Sequence, residues 1–210
     1  MSLLLAAVLG YVLGAIPFGL LIGRWTRGID LRAYGSHRTG ATNALRTLGL
    51  RAAAGVFVLD VAKGVAAVVL ARLLFGGDPM VEWAAALAGV AAIVGHNWSV
   101  FIGFTGGRGV ATSAGALGAM SPWTLVILLP IVFAVMWRTR YVSLGSIVGA
   151  VGAPIITAFL AGAGWASIQA VAYALASGVL VTVAHADNIG RLRAGTERRI
   201  GQKERLTSGG

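Results

Sequence analysis

The sequence predicts an all-α, polytopic integral membrane protein of about seven transmembrane helices, with short inner-face loops forming the site. Three observations carry that expectation. Hydrophobic residues make up 57% of the 210 positions, charged residues 11%, and the mean hydropathy is +0.83. That is too apolar for a soluble domain of this length. Apolar runs long enough to cross a hydrocarbon core of ~30 Å recur along the chain. The arginines collect between those runs rather than within them.

Ser2–Gly23 is the first run, and no positive residue precedes it, so it reads as a span rather than a signal peptide. Pro17, between Gly14 and Gly19, marks a bend that neighbouring helices must support. A polar loop, Trp25–Arg51, leads to the second span, Ala52–Phe75. An acidic turn, Gly76–Glu82, precedes the third, Trp83–Phe104. Gly109–Ser121 has 13 residues, ~20 Å as a helix. It is therefore expected to be tilted, re-entrant or buried among other helices. Pro122–Trp137, Tyr141–Gly164 and Ala166–Ala186 complete the set. Residues 1–201 are expected to form one transmembrane domain, and 202–210 a disordered basic tail.

Seven spans with the N terminus outside put Arg24–Arg51, the Arg108 turn, Arg138–Arg140 and the tail inside. These hold 6, 1, 2 and 6 of the 17 Lys and Arg, and the outer loops hold none. That distribution is a positive-inside pattern. The net charge of +10 therefore reads as topology and anionic ligands, not as nucleic-acid binding. Without cysteine there are no disulfides or thiolate metal sites. His37, His96 and His185 lack metal-ligand spacing, so no metal is expected. No internal repeat is visible, which counts against a transporter.

The chain is organised around Gly95–Gly115. Gly106, Gly107 and Gly109 around Arg108 let the backbone turn tightly and point N–H groups at a ligand. The following helix adds its positive end, and Arg108 a planar fork for phosphate or carboxylate oxygens. The alternative is a flexible turn with one topological arginine. Gly35, Ser36, Gly40, Thr42 and Asn43 suggest a second nest, over which Arg46 can close. The alternative there is a solvated loop with a helix N-cap at Thr42 or Asn43. Asp60 and Lys63 share a helix face inside the second span, where a lone charge costs ~2.5–3.5 kcal/mol. They either neutralise each other for packing or present Lys63 to an anion. His96 ends a span, as a packing residue or part of the site. His185 and Asn188 lie one turn apart, followed by Arg191 and Glu197. A histidine there can act as base or donor, and an asparagine can serve a developing oxyanion.

These strings give the chain a resemblance. GAIPFG at Gly14–Gly19, the run from Gly35 to Gly49, DVAKG at Asp60–Gly64, the run from Gly95 to Ser113, and H..NI.RL..G.E from His185 to Glu197 resemble the bacterial acyl-phosphate:glycerol-3-phosphate acyltransferases, the PlsY family. The resemblance covers nearly the full length. It implies a seven-helix enzyme of the bacterial cell (inner) membrane with a cytoplasmic active site. It further implies transfer of a fatty acyl group from acyl phosphate to the 1-hydroxyl of glycerol 3-phosphate, yielding lysophosphatidic acid and inorganic phosphate. Acyl phosphate is already activated, so the protein need only position two phosphate-bearing substrates and stabilise an oxyanion, without a cofactor. The catalytic set becomes Ser36, Arg46, Arg108, His185 and Asn188. The substrate- and phosphate-binding set becomes Gly35, Gly40, Thr42, Asn43, Lys63, His96, Gly106, Gly107, Gly109 and Glu197. Arg108 stands where the family usually has lysine, and His37 and Arg38 where it has glycine and asparagine. The competing readings are an organic-anion transporter, an anionic-lipid-binding scaffold, and an acyltransferase paralogue with another acceptor. A transporter needs a polar path with charges near the midplane, whereas these charges collect at the inner ends.

Overall fold

The computed structural model describes residues 1–201, and the expectation for 202–210 lies outside the described residues. Ten α-helices account for nearly all regular structure there. Helix α1 (Ser2–Ala15) and α2 (Phe18–Arg27) are one apolar run interrupted at Ile16–Pro17. Pro17 supplies no N–H to continue the ladder, so the chain breaks where the sequence expects a bend. Gly28, left-handed at φ 66°, stops α2. A 3₁₀ turn at Leu31–Ala33 and the short α3 (Ala41–Thr47) order the loop before α4 (Leu50–Leu74).

Helix α5 (Val81–Asn97) ends sooner than the expected third span, because Trp98–Gly109 folds as a compact turn. Then come α6 (Val110–Met120), α7 (Pro122–Thr139) and α8 (Val142–Gly162). Helix α9 (Ile168–Ala184) meets α10 (Ala186–Arg193) at a 59° bend at His185. Among the described residues four segments are long and apolar enough to cross a membrane: α1 with α2, α4, α7 and α8. The bent α9–α10 pair makes a fifth. Helices α5 and α6 fall below that length, at 17 and 11 residues.

Helix α5 is the hub, packed on α1, α4, α6 and α9. Its buried face is alanine and glycine, which lets backbones approach closely. A Cβ on Gly14 would overlap the Ala92 backbone, and one on Gly64 would overlap the Thr112 carbonyl. The second contact, between α4 and α6, explains how a helix as short as α6 is held: it is buried among other helices. Large apolar side chains point outward instead. Leu73, Phe159 and Val179 are 72%, 76% and 63% exposed. So much exposed apolar surface around a small-residue core calls for a lipid environment.

Alternation of the helices brings the α1–α2 break, the start of α4, the end of α5, the start of α6 and the α9–α10 bend to one end of the bundle. At the other end Arg72 pairs with Glu82 at 2.8 Å and donates to the Ala119 carbonyl at 2.7 Å, closing the last turn of α6.

Candidate active site

Three segments build the site end. The first, Gly35–Arg46, is organised by Asn43. Its Nδ2 faces the carbonyls of Leu31, Tyr34 and Arg38 at 2.8–3.0 Å, and its Oδ1 accepts from the Ser36 N–H at 3.1 Å. This buried amide therefore shapes the loop, and its polar atoms are turned inward. The expected N-cap at Thr42 or Asn43 is not found: α3 begins after Gly40, without a side-chain cap. Gly35 and His37 both take left-handed φ, 62° and 55°. His37 holds that less favoured state while its Nδ1 donates to the Arg32 carbonyl at 2.9 Å. Ser36 and Thr42 are half-buried in this loop, and Arg46 in the last turn of α3.

Two contacts tie this loop to the second segment, the glycine turn. The Thr39 N–H donates to the Gly106 carbonyl at 3.4 Å. Arg32, paired with Asp30, donates to the Ile102 carbonyl and Thr105 Oγ1 at 2.9 and 3.0 Å. The glycines are there for space. A Cβ on Gly106 would strike the His96 carbonyl, and one on Gly107 would overlap the His96 ring. Gly109, left-handed at φ 76°, lies against Ile93 and Asn97 and starts α6.

His96 belongs to a buried cluster below the turn. Asp60 Oδ1 lies 2.9 Å from Lys63 Nζ and 3.4 Å from His96 Nδ1. Lys63 also donates to the Ile16 carbonyl at 3.0 Å, a group the Pro17 break leaves without a helical partner. The Phe18 ring lies 5.6 Å from the ammonium. With its side chain 3% exposed, Lys63 is committed to this internal pairing, in line with the packing alternative. The recess beside it, lined by Gly14–Phe18, Thr39, Asp60, Lys63, His96, Ser99 and Ile102, has no room for a water molecule.

The third segment is the α9–α10 bend with the strand of chain that follows α10. Arg108 Nη2 binds Asp187 Oδ2 at 2.7 Å, and the same oxygen lies 3.2 Å from Arg191 Nη1. Arg191 Nε donates to Glu197 at 2.7 Å. Glu197 accepts in turn from Asn188 Nδ2 at 2.7 Å and from Ser143 Oγ at 2.9 Å. Burial disfavours the Glu197 carboxylate, but the donors Asn188, Arg191 and Ser143 outweigh it and hold its pKa below the ordinary range. Burial likewise opposes ionisation of Asp187, and Arg108 and Arg191 reverse that. Arg108 is pulled down from the usual arginine value, chiefly by burial and against the attraction of Asp187, with Arg38 and Arg191 as like charges in reach. His185 Nδ1 donates to the Val181 carbonyl at 2.8 Å, so in the neutral ring Nε2 keeps its lone pair.

The sequence-derived residues thus fall into one connected region with two layers. Arg108, Asn188 and Glu197 share a charged network through Asp187 and Arg191, with His185 one turn before Asn188, and the glycine turn joins it to the Gly35–Arg46 loop. Lys63 and His96 lie beneath it. Several members were missed by reading the sequence. Asp187 bridges Arg108 and Arg191. Asn97 is buried beneath Gly109 and Thr112 within α6, and among the described residues Asn97 Oδ1 and Nδ2, Thr112 Oγ1, Arg108 Nε and Asn188 Oδ1 have no hydrogen-bond partner. Asn97 and Thr112 stand within the glycine-rich motif, and that placement was the available signal. Buried polar atoms without partners are costly and collect where a ligand completes them.

A sequence model described as Glycerol-3-phosphate acyltransferase matches residues 4–195. The chain belongs to this family. Curated family members include a glycerol-3-phosphate acyltransferase of Thermoanaerobacter sp. (strain X514), 43% identical over 98% of this chain and 100% of the relative. One from Synechococcus sp. (strain CC9902) is 46% identical over 97% and 98%. The acyltransferase fold is also seen in crystal structures of PlsY (YgiH), described as an integral membrane glycerol 3-phosphate acyltransferase. The glycerol 3-phosphate form is 37% identical, with a TM-score of 0.84 over 96% of both chains. The lysophosphatidic acid form is 36% identical, with a TM-score of 0.83 over the same share. The resemblance carried by the motifs is therefore one of descent over the whole chain: this is an all-helical membrane acyltransferase of the PlsY family.

Proposed function

We propose that the chain transfers a fatty acyl group from acyl phosphate to the 1-hydroxyl of sn-glycerol 3-phosphate. The products are lysophosphatidic acid and inorganic phosphate, the first step of phospholipid synthesis. The observation that carries this reading is the meeting of two glycine-containing loops with the His185–Asn188 turn around Arg108. Arg108 and Arg46 supply charge for the substrate phosphates, and the backbone N–H groups of Gly35, Gly40, Gly106, Arg108 and Gly109 supply further donors, those of Ser36 and Gly107 being engaged within the protein. Ser36 contributes a hydroxyl beside them.

The reaction needs one carbon–oxygen bond made and one broken. The glycerol hydroxyl adds to the acyl carbonyl while its proton passes to His185 Nε2. The tetrahedral oxyanion then collapses, the bond to the phosphate oxygen breaks, and inorganic phosphate leaves, taking the proton from His185 Nε2. Asn188, held through Glu197, presents Oδ1 to the neighbouring hydroxyl of glycerol 3-phosphate and so orients the attacking one, and Arg108 Nε–H faces the negative charge that develops on the leaving phosphate. Phe101 and Phe104, 58% and 63% exposed beside the glycine turn, suit an acyl chain lying along the bundle.

This reading sets the site at the cytoplasmic face of a bacterial cell (inner) membrane, with seven crossings and the N terminus outside. The gathering of 15 of 17 Lys and Arg in the segments it assigns to the inside supports it. The test is phosphate release from palmitoyl phosphate by purified protein, with and without glycerol 3-phosphate. Release that requires the acceptor and equals lysophosphatidic acid formed is the expected result. Release independent of the acceptor would overturn it.

A further inference from the structure

The ion pair between Arg108 and Asp187 is a poor use of an arginine. A guanidinium offers five N–H donors in a planar fork, and carboxylates ordinarily take two of them side by side. Here one oxygen, Asp187 Oδ2, accepts from Arg108 Nη2 and also faces Arg191 Nη1, at 2.7 and 3.2 Å. Arg108 Nε is buried and has no hydrogen-bond partner among the described residues. The arginine side chain is 16% exposed and the aspartate 44%. The buried, immobile partner is therefore the cation, and the anion stands at the surface, on the first turn of α10.

A tetrahedral phosphate oxygen pair could take Nε–H and Nη2–H of Arg108 together, which Asp187 does not. Asp187 loses little on leaving, because Arg191 remains beside it. Arg38 and Arg191 add positive charge around Arg108, so an anion there is favoured whichever group supplies it.

We propose that Asp187 is a built-in competing anion. It pairs with Arg108 between turnovers, yields it to an incoming phosphate monoester dianion, and reclaims it as inorganic phosphate leaves. Asp187 thereby sets phosphate affinity and release. This rests on the acyl-transfer reading for the identity of the phosphates, but not for the competition itself. The opposite role, a carboxylate that fixes Arg108 in a binding posture, predicts the opposite sign for removing the charge, and that makes the proposal testable.

The experiment uses full-length protein in detergent. Dissociation constants for inorganic phosphate and for glycerol 3-phosphate are measured by isothermal titration for wild type, Asp187→Asn, Asp187→Ser and Asp187→Glu. Thermal unfolding checks that each variant is folded. Competition predicts that both neutral variants bind at least one probe about threefold or more tightly, the range expected for losing a partly exposed ion pair. Asp187→Glu, which keeps the competing charge, stays near wild type. Tightening for glycerol 3-phosphate alone assigns Arg108 to the acceptor. Tightening for inorganic phosphate, with stronger product inhibition against palmitoyl phosphate, assigns it to the donor. Unchanged or weaker binding in both neutral variants overturns the proposal and makes Asp187 a positioning residue. A wild type that binds phosphate but makes no lysophosphatidic acid would defeat the acyl-transfer reading instead, and the sign of the Asp187→Asn effect would still decide the competition.

Discussion

The imidazole of His96 fills the space into which any side chain on Gly107 would project, while the His96 carbonyl accepts the Gly107 N–H at 3.1 Å. The glycine turn is thus seated on α5 by contact at both ring and backbone. Gly107→Ala must push the turn off that seat, and Arg108 moves with it. A displacement of about 1 Å at a phosphate-positioning loop costs on the order of a hundredfold in rate. We expect kcat/KM for glycerol 3-phosphate to fall by about that much, with thermal unfolding little changed. Gly77→Ala, in the Gly76–Glu82 turn with open space around it and no left-handed backbone, serves as the control. A Gly107→Ala enzyme with wild-type kinetics would contradict this seating.

Asp60 and Lys63 give a prediction about stability rather than rate. Both side chains are almost wholly buried, and each is the other's ion-pair partner at 2.9 Å. Removing one charge takes from the other its nearest counter-charge, which costs about 3–5 kcal/mol in buried pairs. Asp60→Asn and Lys63→Met should each lower the unfolding temperature sharply. The Asp60→Asn/Lys63→Met double variant should recover part of the loss, because neither charge of the pair is then left buried without the other. Additive losses in unfolding experiments would argue that the pair acts otherwise, with Lys63 serving substrate directly.

Much of the fold was legible because lipid imposes a simple code. Apolar runs marked the helices to within a few residues at α4, α7 and α8, and Pro17 marked the break between α1 and α2. The short run after Arg108 was read as too short to cross unaided, and α6 is indeed buried among its neighbours. The bend at His185 was not legible, since hydropathy carries no direction. Nor was the path of the chain after α10. The Arg140 guanidinium donates to the Ile200 carbonyl at 2.9 Å, and Ser143 reaches Glu197 across 54 positions. At the site, residue types announced phosphate chemistry, but partners did not follow from spacing. Asn43 looked like a ligand-facing residue and turned out to gather the loop's own carbonyls. Asp187 carries no spacing signal in the sequence, lying 79 positions from the arginine it binds.

Glu197 gives the pH prediction. Its pKa is held below the ordinary glutamate value of about 4.3 by the donors around it. A depressed carboxylate contributes stability above the unfolded pKa, and that contribution is lost as pH falls through the folded pKa. The segment from Ala194 to Ile200 should therefore stay docked on the α7–α8 turn through pH values near 4.3 and release only below. Hydrogen exchange at the Ile200 amide, which donates to the Arg140 carbonyl at 2.8 Å, reports the docking. In Glu197→Gln the acid-dependent step should vanish. Its persistence there would move the responsibility to another carboxylate.

Asn188 carries the sharpest kinetic expectation. The residue is 4% exposed, its Nδ2 is fixed by Glu197 and its Oδ1 has no partner among the described residues. An amide held so firmly on one side is oriented for something on the other, and the helical turn puts it beside His185. Asn188→Ala should leave the fold intact and reduce kcat by about 10²–10³, the usual cost of losing one preorganised hydrogen-bonding group at a reaction centre. Binding of glycerol 3-phosphate should change far less. Asn188→Asp keeps the oxygen but sets a second carboxylate against Glu197, where two buried like charges do not both ionise readily. That variant should be poor at neutral pH and regain activity towards acid, where the two carboxylates share a proton. A pH-independent defect in Asn188→Asp, equal to that of Asn188→Ala, would mean that the Nδ2 donor rather than Oδ1 does the work.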